Sequence, residues 1–144
     1  MKKSNVFKSN EKIVIGKPVI EQMDEYTIYK VYITIKDEKK ELWYKVKKEY
    51  GRFFLTQRCD GILVASILYA LKNKLDIECE IPVSEKLYFQ LKDQLIPFLC
   101  NGDSELLPID IKCDVDSNDY NVESNVGTGI SCGVDSLGTI LQYS

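Results

Sequence analysis

Hydrophobic and polar residues alternate along four stretches of the chain, and each alternation predicts a strand with one buried face. From Tyr26 to Lys36, Tyr29, Val31, Ile33 and Ile35 point one way while Lys30, Tyr32, Thr34 and Lys36 point the other. Leu42, Tyr44 and Val46 then oppose Trp43, Lys45 and Lys47, and the polar run from Asp37 to Lys40 between the two stretches predicts a hairpin turn. Leu75, Ile77, Cys79 and Ile81 alternate with Asp76, Glu78 and Glu80 up to Pro82. Ile109, Ile111, Cys113 and Val115 alternate with Asp110, Lys112 and Asp114. A shorter apolar run, Lys12 to Ile15, is a fifth strand candidate, ended by Gly16 and Pro18.

Two segments follow a helical period instead. Asp60 is placed to cap a helix reaching about Asn73. Its apolar residues Ile62, Leu63, Ala65, Ile67, Leu68 and Leu71 encircle most of the helix, so it is expected to be covered on more than one side. Ser84 and Glu85 open a second helix on which Tyr88, Leu91, Leu95 and Phe98 recur, and Asn101 and Gly102 are expected to close it in the left-handed conformation. The predicted fold class is α+β: a strand, a β-hairpin and then an αβαβ run within a domain spanning 11–115. Residues 1–10 form a polar leader and 116–125, rich in turn formers, a linker.

Composition narrows the function. With 144 residues, 44% hydrophobic and 28% charged, the chain suits one globular domain with a core. A net charge of -3 makes nucleic acid an unexpected partner, although lysine is concentrated in the first half. The leader lacks the apolar segment of a secretory signal, and the most apolar run, Ile62 to Leu71, is about half of what a bilayer span requires. Five scattered cysteines without a CxxC pair fit reduced thiols and a cytoplasmic location, with no membrane association. Histidine is absent, which excludes Ser-His-Asp and Cys-His catalysis within this chain and makes structural zinc unexpected.

Two mixed patterns have a bland and a chemical reading. Asp76, Glu78, Glu80, Asp110 and Asp114 would line an acidic face if their strands are neighbours, yet such a row is ordinarily the solvated side of a sheet. Trp43, Tyr44, Tyr50, Phe53 and Phe54 interleave with Lys45, Lys47, Lys48 and Arg52, as in binders of single-stranded nucleic acid. In a hairpin the same alternation is expected to supply core on one face and solubility on the other.

The strongest chemical signal lies near the C-terminus, at Ser131, Cys132, Gly133, Val134, Asp135 and Ser136. An apolar stretch precedes this Ser/Gly loop, and Leu137, Ile140 and Leu141 follow at helical spacing. Small residues ahead of a helix let backbone amides close on a phosphate, with the helix dipole behind them. The run resembles the S-G-G-x-D-S signature of the PP-loop ATP pyrophosphatases, matching at Ser131, Gly133, Asp135 and Ser136. Cys132 stands where the family has its first loop glycine. Residues 60–67 and 75–87 are also similar to the N-terminal region of bacterial proteins that carry a PP-loop domain downstream. The family includes asparagine, GMP and NAD synthetases, tRNA-thiolating enzymes and 7-cyano-7-deazaguanine synthases. The last group is nearest in style, although its zinc-binding cysteine cluster is missing here.

This resemblance implies that residues 126–144 begin a Rossmann-like domain whose loop, residues 131–136, binds ATP or pyrophosphate, with Asp135 toward a magnesium ion. In the reaction so implied, a carbonyl or carboxylate oxygen attacks the α-phosphorus of ATP and pyrophosphate leaves. A nitrogen or sulfur nucleophile then displaces AMP. Such a domain needs several more βα units, so the chain is expected to be the N-terminal part of a larger enzyme and inactive alone. The alternative expectation is a non-enzymatic α+β domain that binds a protein partner or a substrate, with a vestigial loop.

Overall fold

The ten alternating residues from Tyr26 to Ile35 build the strand on which the rest of the sheet is assembled. In the computed structural model, which describes residues 11–118, the strands are β1 (Lys12–Ile15), β2 (Val19–Gln22), β3 (Tyr26–Ile35), β4 (Glu38–Lys47), β5 (Asp76–Cys79), β6 (Val83–Ser84), β7 (Ile111–Lys112) and β8 (Val115–Asp116). A short 3-10 helix (Lys48–Phe53) and α1 (Asp60–Asn73) lie between β4 and β5. Between β6 and β7, α2 (Glu85–Gln90) passes through a π turn (Leu91–Leu95) into α3 (Ile96–Gly102).

Antiparallel β4 lines one edge of β3 over its full length. On the other edge β2 pairs with Thr27 to Lys30 and β1 with Ile33 to Ile35, so the two short strands lie end to end. Gly16 sits at their junction, where its amide donates to the Tyr32 carbonyl at 2.9 Å; a Cβ there would lie 3.0 Å from that same oxygen. Beyond β1 the sheet turns parallel, through β5 and then β7. A parallel pair, β6 and β8, extends from β5 and β7. The described residues therefore form a mixed α+β fold, with one mixed sheet and three helices.

The helices share one face of the sheet. Ile13, Ile15, Val31 and Ile77 from the strands meet Leu63, Ile67 and Leu71 from α1, and Leu91 and Ile96 from the second helical segment join the same core. Cross-strand partners point to the same side of a sheet. By that rule the opposite face carries Tyr26, Lys30, Tyr32, Trp43, Lys45 and Glu78.

Several expectations change in detail. The hairpin turn is Lys36 and Asp37 alone, both left-handed (φ 49° and 67°), because Ile35 already pairs with Glu38. A two-residue turn of this hand matches the twist of the flanking strands, which lets Glu38, Lys39 and Lys40 join β4. β2 was not marked by any alternation, and it pairs because β3 has a vacant edge beyond the reach of β1. Each of the two later alternating runs is broken: β5 stops at Cys79 before β6, and β7 stops at Lys112 before β8. Asp116, expected in the linker, belongs to β8.

The helix ends also differ from expectation. Cys59, not Asp60, occupies the N-cap of α1, without a side-chain cap bond. Ser84 does precede α2 but makes no side-chain cap bond either. Gly102 is not left-handed: α3 ends in extended Asp103, whose carboxylate accepts from the Glu105 amide at 2.9 Å. The period on the second helical segment slips at the π turn, where Ile96 N–H donates to Leu91 O. One added residue rotates the buried stripe, so Leu91 and Ile96 are buried while Phe98 is 74% exposed. Pro97, which has no N–H to give a helix, lies directly after that turn.

α1 is covered on one side only by the described residues. Ile62, Leu63, Ile67, Ala70 and Leu71 are buried, whereas Val64, Leu68 and Tyr69 are about half exposed.

Candidate functional site

The loop singled out by sequence, Ser131, Cys132, Gly133, Val134, Asp135 and Ser136, lies outside the described residues. Within them, chemistry-bearing groups converge at the N-terminus of α1, beside the C-terminal ends of parallel β5 and β7. The crevice outside the carboxyl ends of parallel strands is where α/β sheets usually bind ligands.

Arg58 is the centre of this region. Its Nε donates to Asp116 Oδ2 at 2.9 Å and its Nη2 to the Asp116 carbonyl at 3.2 Å. The same nitrogen donates to the carbonyl of Asn118. Asp116 Oδ1 in turn accepts from the backbone amide of Asn118 at 2.9 Å. Both charged side chains are only 11–12% exposed, so this is a largely desolvated ion pair that clamps residues 116–118 onto the domain. Asp60 works in the same way over a distance: its carboxylate accepts from the Ser84 amide at 2.8 Å and so holds β6 beside α1. Arg58 was not marked by the sequence, because its partner lies 58 residues away and no local spacing announces it.

Three thiols cluster behind the clamp. The register of β5 and β7 brings Cys113 alongside Cys79, and Cys59 reaches the same place from the start of α1, its Sγ 3.6 Å from the Ile81 carbonyl. A hydrogen bond from Cys79 lowers the Cys59 pKa below the usual thiol range, and the same bond, together with burial, raises that of Cys79. Burial pushes the Cys113 thiol up to about 11. Among the described residues no three His, Cys, Asp or Glu side chains are placed to hold a metal ion.

An aromatic-walled cavity of about 230 Å³ adjoins Arg58 and Asp60, lined by Tyr29, Tyr44, Phe53 and Phe54. Tyr29 packs at a tilt against Phe54 (5.2 Å between centroids, 37° between ring planes) and meets Tyr44 edge-on (6.2 Å). Gly51 makes this packing possible, since a Cβ there would lie 2.2 Å from the Oγ1 of buried Thr27. Burial, and then the neighbouring Cys59 and Tyr44, push the Tyr29 phenol up to about 12. An unfolded tyrosine ionises near 10. Folding thus favours the neutral phenol, a contribution fully present below about pH 10 and lost as pH rises through about 12. Thermal melting between those values should show a steeper loss of Tm for the native chain than for Tyr29→Phe; equal slopes would mean that the Tyr29 phenol does not contribute to the pH dependence.

The acidic row is used internally. β5 and β7 are indeed neighbours, but Glu78 bonds Lys12 and Lys112, which hold its carboxyl below the usual range. Asp76 accepts from the Asp110 amide at 2.9 Å and Glu80 from the Lys17 amide at 3.2 Å. These carboxylates tie strands together rather than presenting an unfilled cation site. Among the described residues no helix is long and apolar enough to cross a membrane.

The chain matches no family model, no curated protein and no solved structure.

Proposed function

We propose that the chain supplies the nucleotide-gripping loop of an ATP-dependent adenylating enzyme of the PP-loop kind, with residues 11–118 as an accessory α+β domain. The observation that carries this reading is the run Ser131, Cys132, Gly133, Val134, Asp135 and Ser136, with apolar residues ahead of it and Leu137, Ile140 and Leu141 at helical spacing after it. Successive amides of such a loop would close on a pyrophosphate, with Ser131 and Ser136 adding hydroxyl donors. Asp135 would help hold a magnesium ion bridging phosphate oxygens. Cys132 replaces a glycine, and its side chain would narrow the approach to the anion. In the finer form of this reading, the αβαβ part of the accessory domain leads into the first strand, loop and helix of a Rossmann-like unit. The Arg58 clamp supports that arrangement, because it anchors the chain at Asp116 and Asn118, ahead of Ser131 by about thirteen residues in the sequence.

Calorimetric titration with magnesium pyrophosphate and magnesium ATP tests the proposal. The native chain should bind. Ser131→Ala should weaken binding about tenfold, as expected for a lost hydrogen bond to a charged group. Absence of binding, or equal binding by the variant, would overturn it. A second reading, a non-enzymatic domain that docks a protein partner, is favoured by the half-exposed apolar residues Val64, Leu68 and Tyr69 on α1.

A further inference from the structure

The face of the sheet turned away from the helices is not a uniformly solvated surface. On the hairpin half it presents three aromatic side chains: Tyr26 (36% exposed), Tyr32 (40%) and Trp43 (56%). Register places Tyr26 opposite Lys47 and Trp43 opposite Lys30, while Tyr32 is diagonal to Trp43 across the β3–β4 pair. Six residues separate Tyr26 from Tyr32 on one strand, so the row of rings spans roughly 20 Å at the usual rise of a strand.

Two of the lysines on this face rest on the rings. Lys39 Nζ lies 4.1 Å from the centre of the Tyr32 ring and Lys45 Nζ 3.9 Å from that of Tyr26. Four lysines (Lys30, Lys39, Lys45 and Lys47) face two carboxylates, so the hairpin face is locally basic in a chain of net charge -3. The two carboxylates are Glu21, which holds Lys30 at 2.8 Å, and Glu41, which stands directly opposite Tyr32 on β4. A base stacking on either tyrosine would displace the ammonium group now resting on that ring and leave it free to meet the adjoining phosphate. Glu21 and Glu41 would offer acceptors to a sugar hydroxyl.

We propose that the open face of the β3–β4 hairpin is a binding platform for single-stranded RNA, with Tyr26, Tyr32 and Trp43 stacking bases and Lys39, Lys45 and Lys47 taking phosphates. Every base has a π-face, so such a platform is tolerant of sequence, and phosphate contacts make its affinity salt-dependent. RNA is selected over DNA here because the carboxylates beside the rings are acceptors, and only the 2′-hydroxyl of ribose gives the sugar a donor to match them. The inference goes beyond the ATP-binding reading and is independent of it. The local charge also explains how a net acidic chain can carry an anion-binding face.

Trp43 is the only tryptophan in the chain, so its emission reports on the platform directly. Titrating the full 144-residue chain with an oligouridylate 12-mer at about 50 mM salt should quench that emission saturably. Three phosphate contacts imply a loss of roughly eighteenfold in affinity between about 50 and 200 mM salt, from a slope near -0.7 per contact. Anisotropy of a labelled 12-mer should show Trp43→Ala about tenfold weaker, in the range of one lost base stack. Trp43→Phe should stay near the native value. Lys39→Ala with Lys45→Ala should lower the salt slope while leaving a cooperative circular dichroism melt, shifted only by the loss of two exposed cation-π contacts. No saturable quenching, full binding by Trp43→Ala, equal affinity for the oligodeoxyuridylate, or equal competition by polyglutamate would each overturn the proposal. The last outcome would point to a surface for acidic protein segments.

Discussion

Leu71→Ala should cost about 3–4 kcal/mol of stability, while Leu68→Ala on the same helix should cost less than about 0.5 kcal/mol. The two leucines are three residues apart and look alike in the sequence. Leu71 is fully buried against the sheet, and truncation would leave a cavity that its neighbours in a close-packed core can only partly fill. Leu68 is 58% exposed and loses little. Urea unfolding of the two variants checks this: the midpoint should fall sharply for Leu71→Ala at unchanged slope, and barely move for Leu68→Ala. A large loss for Leu68→Ala would mean instead that this face of α1 is covered in the full chain.

Arg58→Met is the second large effect, with an expected loss of about 3 kcal/mol. The substitution keeps most of the side chain's volume, so the loss is electrostatic. It takes the guanidinium away from the Asp116 carboxylate, only 12% exposed, and from the two backbone carbonyls to which it donates. Adding Asp116→Asn should recover part of the loss, because the charge that the guanidinium faced is then gone. The coupling measured from Arg58→Met, Asp116→Asn and the double variant should exceed about 1 kcal/mol. Additive losses would show that the clamp is incidental.

The candidate sites differ in how far the sequence reveals them. The proposed run from Ser131 to Ser136 is legible because phosphate binding of that kind would need small residues, and then apolar residues at helical spacing, in one unbroken stretch of sequence. The Arg58 clamp was not legible, since a charge pair closed across 58 residues has no local signature. The aromatic and basic residues of the hairpin lay between these cases. Their alternation was visible, and so was the chance that it is merely core and solvent. The structure splits the group: Tyr44 turns inward to Tyr29, while Trp43 turns outward beside Lys30.

By itself the sequence determined most of the local structure. The two-residue period from Tyr26 to Val46 dictates a hairpin, and the run from Asp60 to Asn73 dictates a helix, because side-chain direction follows directly from backbone period. Only the tertiary structure decided how these pieces meet: β1 and β2 end to end on one edge of β3, the two-residue turn at Lys36 and Asp37, and the π turn that moved Phe98 into solvent. It also decided which side of α1 is buried. A pattern records which residues prefer to avoid water, but only packing against a particular neighbour determines how many of them do. That is why one helix, apolar almost all round in sequence, buries Leu71 and leaves Leu68 exposed.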